Sequence, residues 1–216
     1  MIDSHQVETY SRAAQAHYSD TLAYHNWSHA EAVMRDVDIL VERASKRGIT
    51  LAREALQIAA AWHDAGFHED HTSKGFVTKE HYSAYLLEEY IADKPVDYAT
   101  RFLMSEAILG TIHGFDRDTL NTLVLHRADV ANIGGPYDEF YKISISLWQE
   151  NIHLTGNDIS WNDFIQSSEG YIRMIAKEAQ VELPRLGESI GIGGSYDIQA
   201  LLNAQRLQTE PDPIHG

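Results

Sequence analysis

The chain is predicted to be all α-helical, on three observations made along its length. Apolar residues recur at three- and four-residue spacing through most of the 216 residues, which is the period of a helix with one buried face. No stretch alternates apolar and polar residues as a half-buried strand does. Glycines and prolines separate the periodic segments, as they commonly separate helices.

The first two helices are predicted at about residues 4–18 and 28–46. In the second, Ser28 can cap the first turn and Gly48 follows the end. Asn26 is expected to fix the preceding turn through hydrogen bonds between its side chain and the backbone. The apolar face of this second helix comprises Ala30, Val33, Val37, Leu40 and Val41.

The run LAREALQIAAAWHDAGF, residues 51–67, is the clearest helical pattern in the chain. Its alanine content indicates close packing against a neighbour, and Gly66 marks its end. His63 and Asp64 are therefore expected at the C-terminal end of a largely buried helix. The predicted buried stripe comprises Ala55, Ile58, Ala59 and Trp62.

The remaining elements are predicted from helical periodicity and from the glycines and prolines between the periodic segments. The polar segment 67–79 and the glycine-rich segment 181–195 are predicted as loops, the latter as at most an extended link. The sequence predicts six further helices, at about 79–92, 98–111, 119–132, 137–152, 161–181 and 196–208.

The domain organisation predicted from these elements is a single helical domain over residues 1–210. Its diagnostic motifs fall within 22–135, and the C-terminal helices occupy 136–210. Residues 211–216, with two prolines and a glycine in the surrounding TEPDPIHG, are expected to form a loose tail. At 44% hydrophobic, the chain has enough apolar material for one core.

Composition excludes several classes of protein. The net charge is −15, from 32 acidic and 17 basic residues, and no basic stripe is present, so we expect no nucleic-acid partner. The absence of cysteine excludes disulfides, thiolate metal sites and cysteine nucleophiles. No apolar run is long enough for a membrane span, and the first ten residues lack the apolar core of a secretory signal. A cytoplasmic location is therefore expected, and the sequence leaves the oligomeric state open.

Four side chains are the strongest candidates for chemistry: His29, His63, Asp64 and Asp129. Each falls in a predicted helix, and both aspartates have apolar neighbours in the chain. A buried carboxylate is costly unless it is paired or bound to a metal, and one metal could satisfy both aspartates. Histidine nitrogens together with carboxylate oxygens suit one divalent ion, such as Mn, Fe, Co, Ni, Zn or Mg.

The motifs YHNWSHAEAVM, AAAWHDAGF and LHRADVANIG occur in this order in the chain. Together they resemble the HD superfamily of metal-dependent phosphohydrolases, in a subgroup that opens with YHNxxH. The family's pattern of a His, an adjacent His-Asp and a distant Asp matches His29, then His63 with Asp64, then Asp129.

The resemblance implies an HD-type helical bundle that hydrolyses a phosphoester or phosphoanhydride. The substrate would be a small phosphorylated molecule, often a nucleotide in this family. A metal-activated water would be the nucleophile. Asp64 would both bind the metal and orient that water.

Four further residues are candidates for contact with the reacting groups. Glu69 is the best-placed acidic residue after the His-Asp pair for a catalytic role as proton donor or water-orienting group. His25, four residues before His29, could contact substrate or support the metal site. Lys74 and Arg127 are candidate phosphate anchors. For each of these, an ordinary structural or solvent-exposed role is the alternative.

A second metal is the main open question, because some HD proteins add two histidines between the His-Asp pair and the final Asp. His113 is well placed for one of these, and could equally contact substrate. His81 falls about two positions out of register, and Lys79 occupies the expected place instead. A second metal would favour a di-iron oxygenase acting on a small organic molecule. A non-catalytic ligand-binding module is the third alternative.

Overall fold

The computed structural model describes residues 2–185, Gly187 and residues 195–213, and every regular element within these ranges is helical. The all-α prediction is therefore confirmed. None of the helices described is both long enough and apolar enough to cross a membrane. The helices are α1 Ser4–Ala14, α2 Trp27–Ser45, α3 Arg53–Trp62, α4 Lys79–Ile91, α5 Tyr98–Leu109, α6 Leu120–Asp129, α7 Tyr137–Thr155, α8 Trp161–Arg185 and α9 Tyr196–Leu207.

Helix α3 lies at the centre of the first hydrophobic core and packs against α1, α2 and α5. Ala59, Ala60 and Ala61 are fully buried, and their small side chains let neighbouring helices approach closely. Trp62 is also fully buried and donates its indole N–H to the carbonyl of Tyr10 at 2.9 Å. The alanine-rich pattern thus produces the buried helix that the sequence predicted.

A second hydrophobic core joins the end of α6 to α7, α8 and α9. Trp148 and Trp161 meet edge-to-face at 5.4 Å between ring centroids, and Trp161 also stacks near Phe164. Val130 and Ile133, just after α6, belong to this core. Helix α6 therefore lies where the two cores meet.

The structure differs from the sequence prediction by a few residues at several helix boundaries, and two of these differences have a clear structural cause. Helix α2 begins at Trp27, and Asn26 rather than Ser28 caps it, accepting from the Ser28 N–H at 2.9 Å. The Asn26 amide also donates to the Leu22 carbonyl at 2.9 Å, so the predicted side-chain fixation of this turn is confirmed.

Helix α8 continues to Arg185, whereas the sequence predicts that it ends at about residue 181. Residues 182–185, which belong to the predicted loop, are therefore helical. The buried side chains of Glu182 and Leu183 hold this last part of the helix against the body of the protein. Pro184 lies inside the helix, as the next-to-last residue of its described range. The rest of the predicted loop, residue 186 and residues 188–194, lies outside the described residues, as does part of the predicted tail, 214–216.

Candidate active site

The sharp turn after α3 positions the His-Asp pair. Gly66 has a φ of +74°, a backbone conformation that favours glycine, and its N–H donates to the His17 carbonyl at 2.8 Å. A Cβ at this position would lie 2.6 Å from the ring of Tyr82. The chain therefore turns back directly after His63 and Asp64, which leaves both side chains at the end of a buried helix.

Three helices bring four side chains to one point. His29 comes from the first turn of α2, His63 and Asp64 follow α3, and Asp129 is the last residue of α6. One nitrogen or oxygen atom from each lies within 4.8 Å of the others, and we call these four residues the His–Asp cluster. His29, His63 and Asp64 are buried, and Asp129 is partly exposed.

The imidazole nitrogens of the cluster face its carboxylates. His29 Nε2 lies 3.1 Å from Asp129 Oδ1, and His63 Nε2 lies 3.1 Å from Asp64 Oδ2. The two Nε2 atoms are 3.3 Å apart. His63 Nδ1 lies 2.7 Å from the carbonyl of Ala60, an acceptor, so it must carry the proton of the neutral ring. In that tautomer the Nε2 lone pair of His63 points at the cluster.

Charge balance within the cluster shifts the pKa values strongly. Burial by itself would raise the pKa of Asp64, but His63 and then Lys79 outweigh it and hold this pKa well below its ordinary value. Burial would lower the pKa of His63, but Asp64 and Asp129 raise it well above its ordinary value. The pKa of Asp129 is also lowered, since hydrogen bonds from both histidines outweigh its burial. The cluster therefore favours positive charge between its two carboxylates.

A cavity of about 420 Å³ opens beside the cluster and is lined by Asp129. We call it the main cavity because of the polar residues in its wall, not because of its size. Its polar wall also includes His25, Lys79 and His113. Its apolar wall comes largely from α7 and α8, and comprises Phe140, Ile143, Leu147, Leu154, Phe164 and Ile172. A second cavity of about 490 Å³ is lined by His29 and again by Asp129.

His25 is held in the wall of the main cavity by a residue that the sequence gave no reason to select. Its Nδ1 makes a short hydrogen bond with Oε1 of Glu150 on α7. The second oxygen of Glu150 accepts the backbone N–H groups of Tyr24 and His25, each at 2.8 Å. The His25 ring stacks on Phe67 at 3.8 Å between centroids. Burial lowers the pKa of His25, and the bond to Glu150 opposes that shift.

Three of the other predicted residues lie away from the main cavity. Glu69 accepts from the Tyr82 hydroxyl at 2.9 Å and pairs with Lys74 at 3.0 Å, and neither residue lines the cavity. Arg127 is buried, but its guanidinium binds Glu182 of α8 and also lies outside the cavity lining. The structure therefore places the predicted anchors Lys74 and Arg127 in ion pairs with protein carboxylates.

The two histidines considered for a second metal do not reach the cluster. His113 lines the main cavity and meets Tyr171 edge-to-face at 4.8 Å between ring centroids. His81 is exposed, and its Nδ1 lies 2.9 Å from the hydroxyl of Thr78. Lys79, which occupies the place expected for a histidine, does reach the cluster: its Nζ lies 3.0 Å from Asp64 Oδ1.

Comparison with known proteins identifies the fold. No family model and no curated protein matches the chain. Two solved structures of the phosphodiesterase domain of a rhodopsin phosphodiesterase from Salpingoeca rosetta each match at 18% identity with a TM-score of 0.67. They cover 96% of this chain and 82% and 84% of theirs. LmjPDEB1, solved in complex with IBMX, matches at 14% identity and a TM-score of 0.63, covering 95% of this chain and 81% of its own.

The chain has the all-helical fold of these phosphodiesterase domains. The likeness spans 96% of the chain, so it extends over both hydrophobic cores. At this identity it establishes the fold, which agrees with the resemblance to the HD superfamily drawn from the motifs.

Proposed function

We propose that this protein is a metal-dependent hydrolase of a small phosphodiester. The observation that carries the proposal is the convergence of two histidine nitrogens and two carboxylate oxygens within 4.8 Å, with Asp129 in the wall of the main cavity. This is a mixed nitrogen and oxygen donor set beside a space that a small molecule can enter.

The donor set of the cluster fits a divalent metal ion. His29 Nε2, His63 Nε2, one oxygen of Asp64 and one of Asp129 would hold it, and two imidazoles favour Mn, Fe, Co, Ni or Zn over Mg. The bond to the Ala60 carbonyl orients His63 in the way that protein metal sites commonly orient their histidines. When bound, such an ion supplies a Lewis acid and lowers the pKa of a coordinated water.

His25 is suited to move the proton that the leaving group needs. Hydrolysis forms a P–O bond to hydroxide and breaks the P–O bond to the leaving oxygen, which must then be protonated. His25 lies in the cavity wall, and Glu150 fixes its ring through Nδ1, as an orienting carboxylate does in many acid–base pairs. Because Nδ1 donates to Glu150, Nε2 of the neutral ring is free to accept a proton. We propose that Nε2 of His25 takes up the proton released by the attacking water and passes it to the leaving oxygen.

The charge of the main cavity favours a substrate with little negative charge. Among the described residues that line it, Lys79 is the only lysine and there is no arginine, whereas Glu80, Asp129 and Glu150 are acidic. A triphosphate carries several negative charges and would meet few cations here. A phosphodiester carries one, and the apolar wall from α7 and α8 suits an attached ring system such as a nucleobase.

The names of the structural neighbours agree with this choice of substrate class. Two of them are named as phosphodiesterase domains, and LmjPDEB1 was solved in complex with IBMX. The di-iron oxygenase alternative gains no comparable support, because His81 points to Thr78 rather than to the cluster.

The test is metal analysis followed by a substrate panel. The purified protein is assayed with Mn, Co, Ni, Zn and Mg against bis-p-nitrophenyl phosphate, cyclic nucleotides and nucleoside triphosphates. We expect turnover of diesters that a chelator abolishes. Asp64→Asn should lower the rate by about 100-fold or more, since losing a well-placed catalytic group commonly costs this much.

The matched control is Asp38→Asn, which removes an aspartate from a partly exposed ion pair with Arg53. It should keep the wild-type rate. Full activity of Asp64→Asn, or wild-type turnover that persists after complete metal removal, would contradict the proposed mechanism.

A further inference from the structure

Lys79 is the one basic side chain that touches the His–Asp cluster within the described chain, and several contacts hold it there. Its Nζ lies 3.0 Å from Asp64 Oδ1, 3.7 Å from Glu80 Oε1 and 4.2 Å from the ring centroid of Phe67. Its side chain is 33% exposed, and the residue lines the main cavity.

The two oxygens of Asp64 have different partners. Oδ2 faces the imidazoles, at 3.1 Å from His63 Nε2 and 3.5 Å from His29 Nε2. Oδ1 faces the ammonium of Lys79. In two-metal hydrolases the ions lie about 3.5–4 Å apart and clamp the attacking and leaving oxygens together. Asp64 has the arrangement of a carboxylate shared between two cations, with Lys79 as one of them.

Local electrostatics indicates that the contact with Asp64, and not the helix dipole of α4, stabilises a lysine at this position. Lys79 is the first residue of α4, directly after the N-cap Thr78. A positive charge in the first turn of a helix is unfavourable, because the N-terminus of the helix dipole is itself positive. The contacts with Asp64, Glu80 and Phe67 compensate for this placement.

We infer that the ammonium of Lys79 takes the place of a second metal ion, so that the centre holds one metal and one fixed protein cation. This inference rests on the proposed function. A divalent ion at Asp64 Oδ1 would be repelled by the ammonium about 3 Å from that oxygen. Lys79 also lines the main cavity, and in this proposal its ammonium binds a phosphoryl oxygen of the substrate.

The inference is tested by counting bound metal. Wild type, Lys79→Met and Lys79→Arg are equilibrated with Mn²⁺, and bound manganese per chain is measured by elemental analysis, with electron paramagnetic resonance to detect coupled Mn–Mn pairs. Methionine keeps the approximate length of lysine without its charge, and arginine is the matched variant that keeps the charge.

We expect one manganese ion in wild type and Lys79→Arg, and two, with a coupled spectrum, in Lys79→Met. One ion in all three proteins would overturn the inference and leave the proposed function standing, and two ions in wild type would overturn it without any variant. No bound ion in wild type would overturn the proposed metal centre, and the inference with it. The partly exposed position of Lys79 makes folded variants expected, and circular dichroism checks this.

Discussion

A buried ion network between α6 and α8 gives the sharpest prediction about stability. Glu182 on α8 accepts from Arg117 Nη1 at 2.6 Å and from Arg127 Nε at 3.2 Å, with a further short bond from Arg127 Nη2. All three residues are buried, with 1–6% of their surface exposed. Glu182→Gln keeps the shape of the side chain but removes its negative charge. It also replaces one carboxylate oxygen, which accepts hydrogen bonds, with an NH₂ group that cannot accept from the guanidinium groups.

The expected cost follows from what is left behind. Removing one partner of a buried ion pair costs about 3–5 kcal/mol, because the other charge stays buried without compensation. Here two arginines lose their shared carboxylate, while Arg117 keeps its contact with Glu178, whose Oε2 lies 3.5 Å from Arg117 Nη1. We therefore expect a loss of about 3–5 kcal/mol in the free energy of unfolding, or about 10 °C in Tm for a chain of this size.

Urea unfolding followed by circular dichroism measures this loss. The matched control is Glu169→Gln on the same helix, where Glu169 pairs with Arg173 at the surface, four residues away, at 2.8 Å. Such an exposed pair contributes at most about 0.5 kcal/mol. If Glu182→Gln were no less stable than Glu169→Gln, the argument that the buried network holds α8 to α6 would be wrong.

Three further predictions concern the turn, the buried histidine and the proton-transfer pair. Gly66→Ala should lower Tm in a thermal melt, because it adds strain at a φ of +74° and a Cβ 2.6 Å from the Tyr82 ring. Burial lowers the pKa of His126 to about 4, so the unfolded chain binds more protons between about pH 6.5 and 4. The free energy of unfolding should therefore fall by up to about 3 kcal/mol as the pH drops through that window, and His126→Gln should flatten this dependence in urea titrations. Glu150→Gln should reduce kcat by about 10–100-fold in the diester assay while metal content stays unchanged, because it removes the carboxylate that orients His25; an unchanged kcat would argue against the pair.

The parts of the molecule that local pattern controls were predictable from the sequence. Helical periodicity identified each helix, and the alanines of α3 identified the helix at the centre of the first core. The motif order also selected His29, His63, Asp64 and Asp129, whose side chains converge in the structure. Their role as metal ligands stays a prediction.

The parts that depend on tertiary contact were not predictable in this way. Glu150 meets His25 across 125 residues of chain, and its segment carries no motif that marks it as functional. The last turn of α8 forms because Glu182 binds arginines on distant segments, which outweighs the local signal of Pro184. The sequence shows Lys79 only as the residue that stands where a metal-binding histidine would be expected. Its contact with Asp64 depends on how α4 packs beside the turn after α3, which local pattern does not predict.

The two hydrophobic cores carry different parts of the candidate site. The four cluster residues are carried by α2, α6 and the end of α3, on the side of the first core. The apolar wall of the main cavity comes from α7 and α8, which belong to the second core. Arg127 joins the two, since it lies two residues before Asp129 and binds Glu182 of α8. A change in the second core can therefore reshape the apolar wall of the main cavity, and through Arg127 it can also move Asp129. Under the proposed function, substrate preference and metal affinity are expected to be coupled in variants of α8.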